Sequence, residues 1–315
     1  LLAYEQKGVS FTAVRQVYGT EWSLGGMVAN LCGVPLAPRG LRRHFDLAEV
    51  EDFLKPVTCL PDLLAEMGYN NSLVVGGGQG FAGFGHFFAS HQIKNVFDRP
   101  IIQARVSSED YASALHAGLV DDQMVFDVAM EVYDQSTAEP KPLFLVVETN
   151  GPHGSASVLS RNCTSTGRAD SAPNVARAVQ CTLGDTDRFL DHISANHAGR
   201  DTLIIVASDH LNHDPGIKRQ FSVTDSSNTI IMYWLGVNSA LVPNGSKIDR
   251  EATMFDVFPS ILAYVGLVDR HAQGGLGRSL FGDDSTLIEE KGMAGLNAEL
   301  FPNPLLSQAI WGKGD

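Results

Sequence analysis

The chain has 315 residues, 44% of them hydrophobic, enough to bury a full core in one large α/β domain or in one domain plus an appendage. Its formal charge of −13 argues against nucleic-acid binding, which requires a basic face, although an acidic chain still holds a phosphate where a metal and a helix N-terminus act locally. No run of about 18 apolar residues reads as a membrane span.

Four cysteines, Cys32, Cys59, Cys163 and Cys181, include no Cys-x-x-Cys pair, which argues against metal ligation by thiolates. Their even number fits two disulfides in an oxidising compartment or four buried thiols in a reducing one. Residues 1–7 read as the end of a helix stopped by Gly8, so the sequence is expected to begin inside a domain. A short strand follows at 9–14. The apolar, small-residue stretch Ser23–Cys32 reads as a helix closed by Gly33 and Pro35. Ser23 falls at its N-cap or first position, where its hydroxyl either caps the helix or faces an anion held by the free N–H groups.

The polar excursion 36–56 carries Arg39, Arg42, Arg43 and His44, either a grip for a polyanionic or sugar-bearing substrate or a solvated face. A helix over 59–67, stopped by Gly68, feeds a strand over 72–75, the helix-to-strand unit of a doubly wound sheet. A glycine-rich run and the segment 81–88, with His86, follow on the loop side. Residues 121–133 begin acidic and keep helical spacing, the pattern of an outer helix. Residues 142–147 form a second buried strand that opens into Glu148-Thr-Asn150-Gly151-Pro-His153-Gly154, a turn-rich loop.

A helix from about 174 to 197 leads to Thr202-Leu-Ile-Ile-Val-Ala-Ser208-Asp209-His210. Five apolar residues in a row are too few for a helix and read as a strand buried on both faces. Its end carries a carboxylate and an imidazole, which suit a divalent cation at the functional edge of a parallel sheet. Asp-His alone is a common dipeptide. A further strand covers Asn228–Leu235, and a helix over 253–265 stops at Gly266, with Pro259 marking either a kink or the true first turn. Because strands repeatedly end in polar, Gly-rich loops, Ser23, His153, Asp209 and His210 are expected to converge on one crevice.

Gly19-Thr-Glu-Trp22-Ser23-Leu-Gly-Gly-Met-Val-Ala29 and Cys32-Gly-Val-Pro-Leu36 resemble the nucleophile segment of bacterial phosphoglycerol transferase I enzymes. That family decorates osmoregulated periplasmic glucans and is related to lipoteichoic acid synthases within the alkaline phosphatase and sulfatase superfamily. Gly80-Phe-Ala-Gly-Phe-Gly-His86-Phe, Glu148 to Gly154, Ser208-Asp-His210 and Gly275-Leu-Gly-Arg278-Ser fall in the family's order. The resemblance runs from Gly8 to about Gly282. It implies an α/β sandwich with a central, mostly parallel sheet between helices, here without its N-terminal core strand. On this reading 1–315 is a single sulfatase-like catalytic domain, truncated at its N-terminus relative to the family, with 283–315 as a C-terminal extension.

Carried over by position, Ser23 is the covalent nucleophile and a metal ligand, Asp209 and His210 are the metal pair, and His153 is a catalytic histidine near the phosphate. The resemblance further assigns substrate contacts to His86, Trp22, Asn150 and Arg278, the last more a support than a catalytic group. It implies one divalent ion, manganese first and magnesium or zinc otherwise. It also implies a phosphatidylglycerol-like donor, a glucan acceptor, no nucleic acid, a membrane surface reached through a segment absent from this chain, and a periplasmic location or one on the periplasmic face of the inner membrane. Pairings Cys32–Cys59 and Cys163–Cys181 fit the family's cysteine placement.

Three departures stand out. The family's metal-ligating glutamate at the end of its first core strand has no counterpart here, and Glu21 replaces a glycine two residues before Ser23. Phe84 replaces a basic residue, and Gly151 stands where relatives often have a second histidine. Two other functions therefore remain: a phosphodiesterase or phosphatase of the same superfamily that passes the intermediate to water, and a catalytically silent homologue that binds glucan or lipid. A sulfatase proper is disfavoured, because Ser23-Leu-Gly-Gly-Met27 lacks the proline and arginine of the formylglycine motif.

Overall fold

Short apolar runs set the strands of the molecule, and capped amphipathic stretches set its helices. The computed structural model describes residues 2–36, 47, 50–197, 199–212, 226–236, 241–301 and 303–312. Arg39, Arg42, Arg43 and His44 lie outside the described residues. In chain order the framing elements are β1 (Val9–Arg15), α1 (Ser23–Cys32), α2 (Leu60–Glu66), β2 (Asn70–Val75), α3 (Phe84–Ser90), β3 (Asn95–Phe97), α4 (Asp122–Thr137) and β4 (Leu143–Glu148). They continue with α5 (Val175–Asn196), β5 (Thr202–Ala207), β6 (Asn228–Leu235), β7 (Ser246–Ile248), β8 (Ala252–Thr253), α6 (Val257–Tyr264), α7 (Leu287–Leu300) and α8 (Pro304–Trp311). By compactness the chain sorts into two units. Leu1–Leu63, Gly199–Leu211 and Thr224–Asp315 form the first, and Leu64–Ala198 with Asn212–Val223 the second.

The first unit is built on a sheet in the order β7-β1-β6-β5, with β8 pairing farther along β1. β7 and β8 run parallel to β1, whereas β6 runs antiparallel to both β1 and β5. The sheet is thus mixed, because β6 is inserted against the direction of its neighbours; its apolar run specifies a strand but not a direction. Two reversals restore the original sense, so β1 and β5 point the same way. Their C-terminal ends, at Arg15 and Ala207, therefore open on one edge of the sheet.

Residues 283–301 and 303–312 belong to this unit and are packed onto it. Ile288, Leu296, Leu300, Ile310 and Trp311 are buried. The Trp311 and Phe53 rings meet edge-on at 4.9 Å, and the Tyr18 N–H donates to Asn297 Oδ1 at 2.7 Å. Pro259 is the third residue of α6, so it marks the first turn, where the missing N–H leaves no intrahelical bond unmade.

The second unit holds a parallel sheet, β3-β2-β4, in register from Asn70↔Leu143 to Val75↔Glu148. Parallel pairing delivers the Gly76-rich loop and the Glu148–Gly154 loop to the same edge. α4 starts at an Asp121 cap, whose carboxylate accepts the Met124 N–H. α5 starts at an Asn174 cap and ends at His197, as its sequence pattern predicts. Both disulfides form, one within each unit: Cys32–Cys59 spans 27 residues and Cys163–Cys181 spans 18. Loops of that size contribute about 3–4 kcal/mol each in the chain-entropy model.

Candidate active site

Helix α1 begins at Ser23 because Trp22 is still extended, with φ −150° and ψ 161°, and it ends where Gly33 turns left-handed. Trp22 is the N-cap, no side chain caps the helix, and Ser23 is its first residue. The serine hydroxyl is thus not consumed by capping. The connection from β1 is a tight turn held by its own groups: Thr20 Oγ1 accepts the Val17 N–H and donates to the Val17 carbonyl, and Glu21 accepts the Gly19 N–H at 2.7 Å. Glu21, the residue that departs from the family's glycine, is bonded within this turn.

Helix α1 is buried along most of its length, which only small residues permit at its closest contacts. A Cβ at Gly26 would collide with the carbonyl of Asp209, so the absence of a side chain there lets the end of β5 lie against the first turns of α1. That contact, with the shared edge of β1 and β5, brings the serine to the acid–imidazole pair. Ser23 Oγ lies 3.5 Å from His210 Nε2, and Asp209 Oδ2 lies 3.6 Å from the same nitrogen. The other carboxylate oxygen of Asp209 accepts the His210 N–H at 2.9 Å.

His210 Nδ1 sits 2.8 Å from the Leu211 carbonyl. A carbonyl only accepts, so Nδ1 donates in this contact, and Nε2 is the ring nitrogen left for a cation. Leu211 is itself fixed, because its N–H donates to Gln16 Oε1 at 2.7 Å. Ser23 and His210 are partly buried, and the carboxylate of Asp209 is about one-third exposed. Hydroxyl oxygen, carboxylate oxygen and an Nε2 lone pair backed by an Nδ1–H···O=C bond form a donor set that fits a divalent cation. The first N–H groups of α1 have no intrahelical acceptors and add a positive dipole end at the same place.

The remaining sequence-derived positions are distributed as follows. Trp22 precedes Ser23 at the start of α1. In the first unit, the Arg278 guanidinium is bound to the Ser285 carbonyl and to Glu290, and its backbone N–H donates to Asp256 Oδ1 at 2.7 Å. In the second unit, His86 lies on α3, and Asn150 and the exposed His153 lie on the loop after β4. This loop is gripped by Asp122, the first residue of α4. Its carboxylate accepts the N–H groups of Asn150 and Gly151, at 2.7 and 3.0 Å, and the Thr182 hydroxyl at 2.6 Å. Burial pushes the Asp122 carboxyl up to about 6, although its three donors pull the other way.

A Cβ at Gly151 would meet the side-chain oxygens of Asp122 and Thr182, the groups that hold this loop. Sequence reading passed over Gln16, Asp122 and Thr182. Their partners lie 195, 28–29 and 60 positions away, and no local pattern marks such pairs.

The fold is that of the alkaline phosphatase superfamily. A member from Vibrio parahaemolyticus superposes with a TM-score of 0.64 at 19% identity, over 90% of this chain and 63% of that one. The lipoteichoic acid synthase LtaP from Listeria monocytogenes does so with a TM-score of 0.64 at 12% identity, over 89% and 68%. A family model described as Sulfatase matches residues 37–267, and the chain belongs to that family. Among curated proteins, phosphoglycerol transferase I from Salmonella arizonae is 30% identical over 263 residues, 81% of this chain. The chain spans about a third of the length of the curated relatives it matches (33% of that protein).

Proposed function

We propose that this chain is the catalytic part of a metal-dependent phosphoglycerol transferase that works through a covalent Ser23 intermediate. The observation that carries the reading is the approach of Ser23 Oγ to the Asp209–His210 pair at the head of α1. The name of the Salmonella relative supports the transferred group. When bound by Ser23, Asp209 and His210, a divalent ion would supply Lewis-acid stabilisation of the serine alkoxide and of charge on the phosphate.

Ser23 Oγ gives its proton to solvent and attacks the phosphorus of a phosphatidylglycerol-like donor. The Oγ–P bond forms as the bond from phosphorus to the diacylglycerol oxygen breaks, and that oxygen leaves protonated. A hydroxyl of the acceptor, read as a glucan, then attacks the phosphorus, and Ser23 regains its proton as the Oγ–P bond breaks. The N–H groups that open α1 are placed to bond the non-bridging oxygens of a phosphate held at Ser23. For His153 the role rests on the resemblance, that of giving a proton to the departing alcohol. Two disulfides support an oxidising compartment, read here as the periplasm with manganese as the ion.

The test is to incubate the chain with a phosphatidylglycerol analogue and Mn²⁺, quench with acid, and map the peptides. A phosphoglyceryl group on Ser23, and loss of diacylglycerol release in Ser23→Ala by at least about a thousandfold, is the expected outcome. Full release by Ser23→Ala would overturn the covalent route. Glycerol phosphate set free without acceptor would reassign the chain as a phosphodiesterase.

A further inference from the structure

The turn that delivers Ser23 also reaches back to the residue after His210. Gln16 stands directly after β1, seven positions before the serine, and its Oε1 accepts the Leu211 N–H at 2.7 Å. Leu211 in turn presents its carbonyl to His210 Nδ1 at 2.8 Å. Anchoring the Leu211 N–H fixes the position of the Leu211 Cα, and only the two backbone dihedrals of Leu211 lie between that anchor and the carbonyl that meets Nδ1. The carbonyl decides which ring nitrogen holds the proton, and the other nitrogen, Nε2, is the one 3.5 Å from Ser23 Oγ and 3.6 Å from Asp209 Oδ2. One side-chain amide therefore links the segment bearing the nucleophile to the orientation and tautomer of the imidazole.

We propose that Gln16 is a positioning residue for His210: by anchoring Leu211 it keeps the ring protonated on Nδ1 and aims the Nε2 lone pair at the position between Ser23 and Asp209. The proposal rests on the reading of Ser23, Asp209 and His210 as the metal site and deepens it. Gln16 acts on His210 through Leu211. Its effect passes through one backbone amide and one backbone carbonyl. A glutamate at position 16 keeps the accepting oxygen, whereas a methionine keeps the length and apolar stem but accepts only weakly.

Two readouts on the full chain test this. The first is the tautomer of His210, read from ¹⁵N shifts of histidine-labelled protein without metal and assigned by comparison with His210→Gln. The parent chain is expected to hold the Nδ1–H form, and Gln16→Met to populate both forms. The second is Mn²⁺ affinity by titration calorimetry. Gln16→Met is expected to lose about 10–100-fold, the usual effect of removing a partner that orients a metal-binding histidine, with Gln16→Glu recovering most of it.

An Nε2–H tautomer in the parent chain, or unchanged tautomer and affinity in Gln16→Met, would overturn the role of Gln16. Asp209→Ala binding Mn²⁺ as tightly as the parent would instead overturn the metal reading. The tautomer measurement needs no metal and still decides the proposal in that case. Should Gln16→Met fail to fold, the parent tautomer and the Gln16→Glu titration remain decisive.

Discussion

Gly26 lets the end of β5 meet α1 by having no side chain. The Asp209 carbonyl occupies the space that a methyl group would need, and a backbone atom cannot rotate out of the way as a flexible side-chain tip does. Gly26→Ala is therefore expected to displace the end of β5 and to cost roughly 1–3 kcal/mol, as overpacking does. Mn²⁺ affinity should fall with it, because Asp209 moves. Urea denaturation and calorimetric titration check both parts. A variant as stable and as tight in binding as the parent would mean that β5 and α1 do not touch as described. Gly25, one residue earlier, meets the Gly19 carbonyl and the Trp22 ring, so two adjacent small residues face different neighbours.

At the scale of elements, two buried carboxyls tie helix starts to loops. Asp122 opens α4 and holds the Asn150–Gly151 turn. Asp256 precedes α6 and accepts the N–H groups of Thr253 and Arg278. Burial raises both to about 6 from an ordinary 3.8, and Asp185 on α5 adds repulsion at Asp122 while Arg250 draws Asp256 down. A carboxyl raised in the folded state binds more protons there than in the unfolded chain. Its stabilisation is complete below 3.8 and is lost as pH rises through about 6. Each group thus makes unfolding free energy decline across that window, by up to about 1.4 kcal/mol per pH unit. Asp122→Asn should flatten the decline in denaturant titrations between about pH 4 and pH 7; an unchanged slope would show that Asp122 is ionised throughout.

These elements also show what a sequence can carry. The apolar run before Asp209 announces β5, Gly33 announces the end of α1, and Asn174 announces the start of α5, because periodicity and caps are local signals. The direction of β6 and the identity of the α1 cap were not legible. The first depends on which strands flank it, and the second on a tryptophan that caps without a side-chain bond. Gln16 was invisible for the same reason, since its partner is 195 positions away.

At the scale of the whole molecule, each unit contributes a sheet whose outermost described strand is only half covered. Leu143–Glu148 is intermediate in exposure throughout, and Thr202–Ala207 nearly so, whereas β2 and β6 beside them are largely buried. Their apolar composition belongs to strands enclosed on both faces. No described helix is long and apolar enough to cross a membrane. The acidic charge of −13 leaves anion recognition to local devices, the N-terminus of α1 and the donor set beside it that fits a cation.

The central claim is that a serine at a helix start and an acid–imidazole pair 186–187 positions downstream grip one ion. Anomalous diffraction at the manganese edge, from crystals of the full chain grown with Mn²⁺, measures this directly. The account predicts one peak within coordination distance of Ser23 Oγ, Asp209 and His210 Nε2, and a peak that avoids Ser23 or lies away from all three would contradict it.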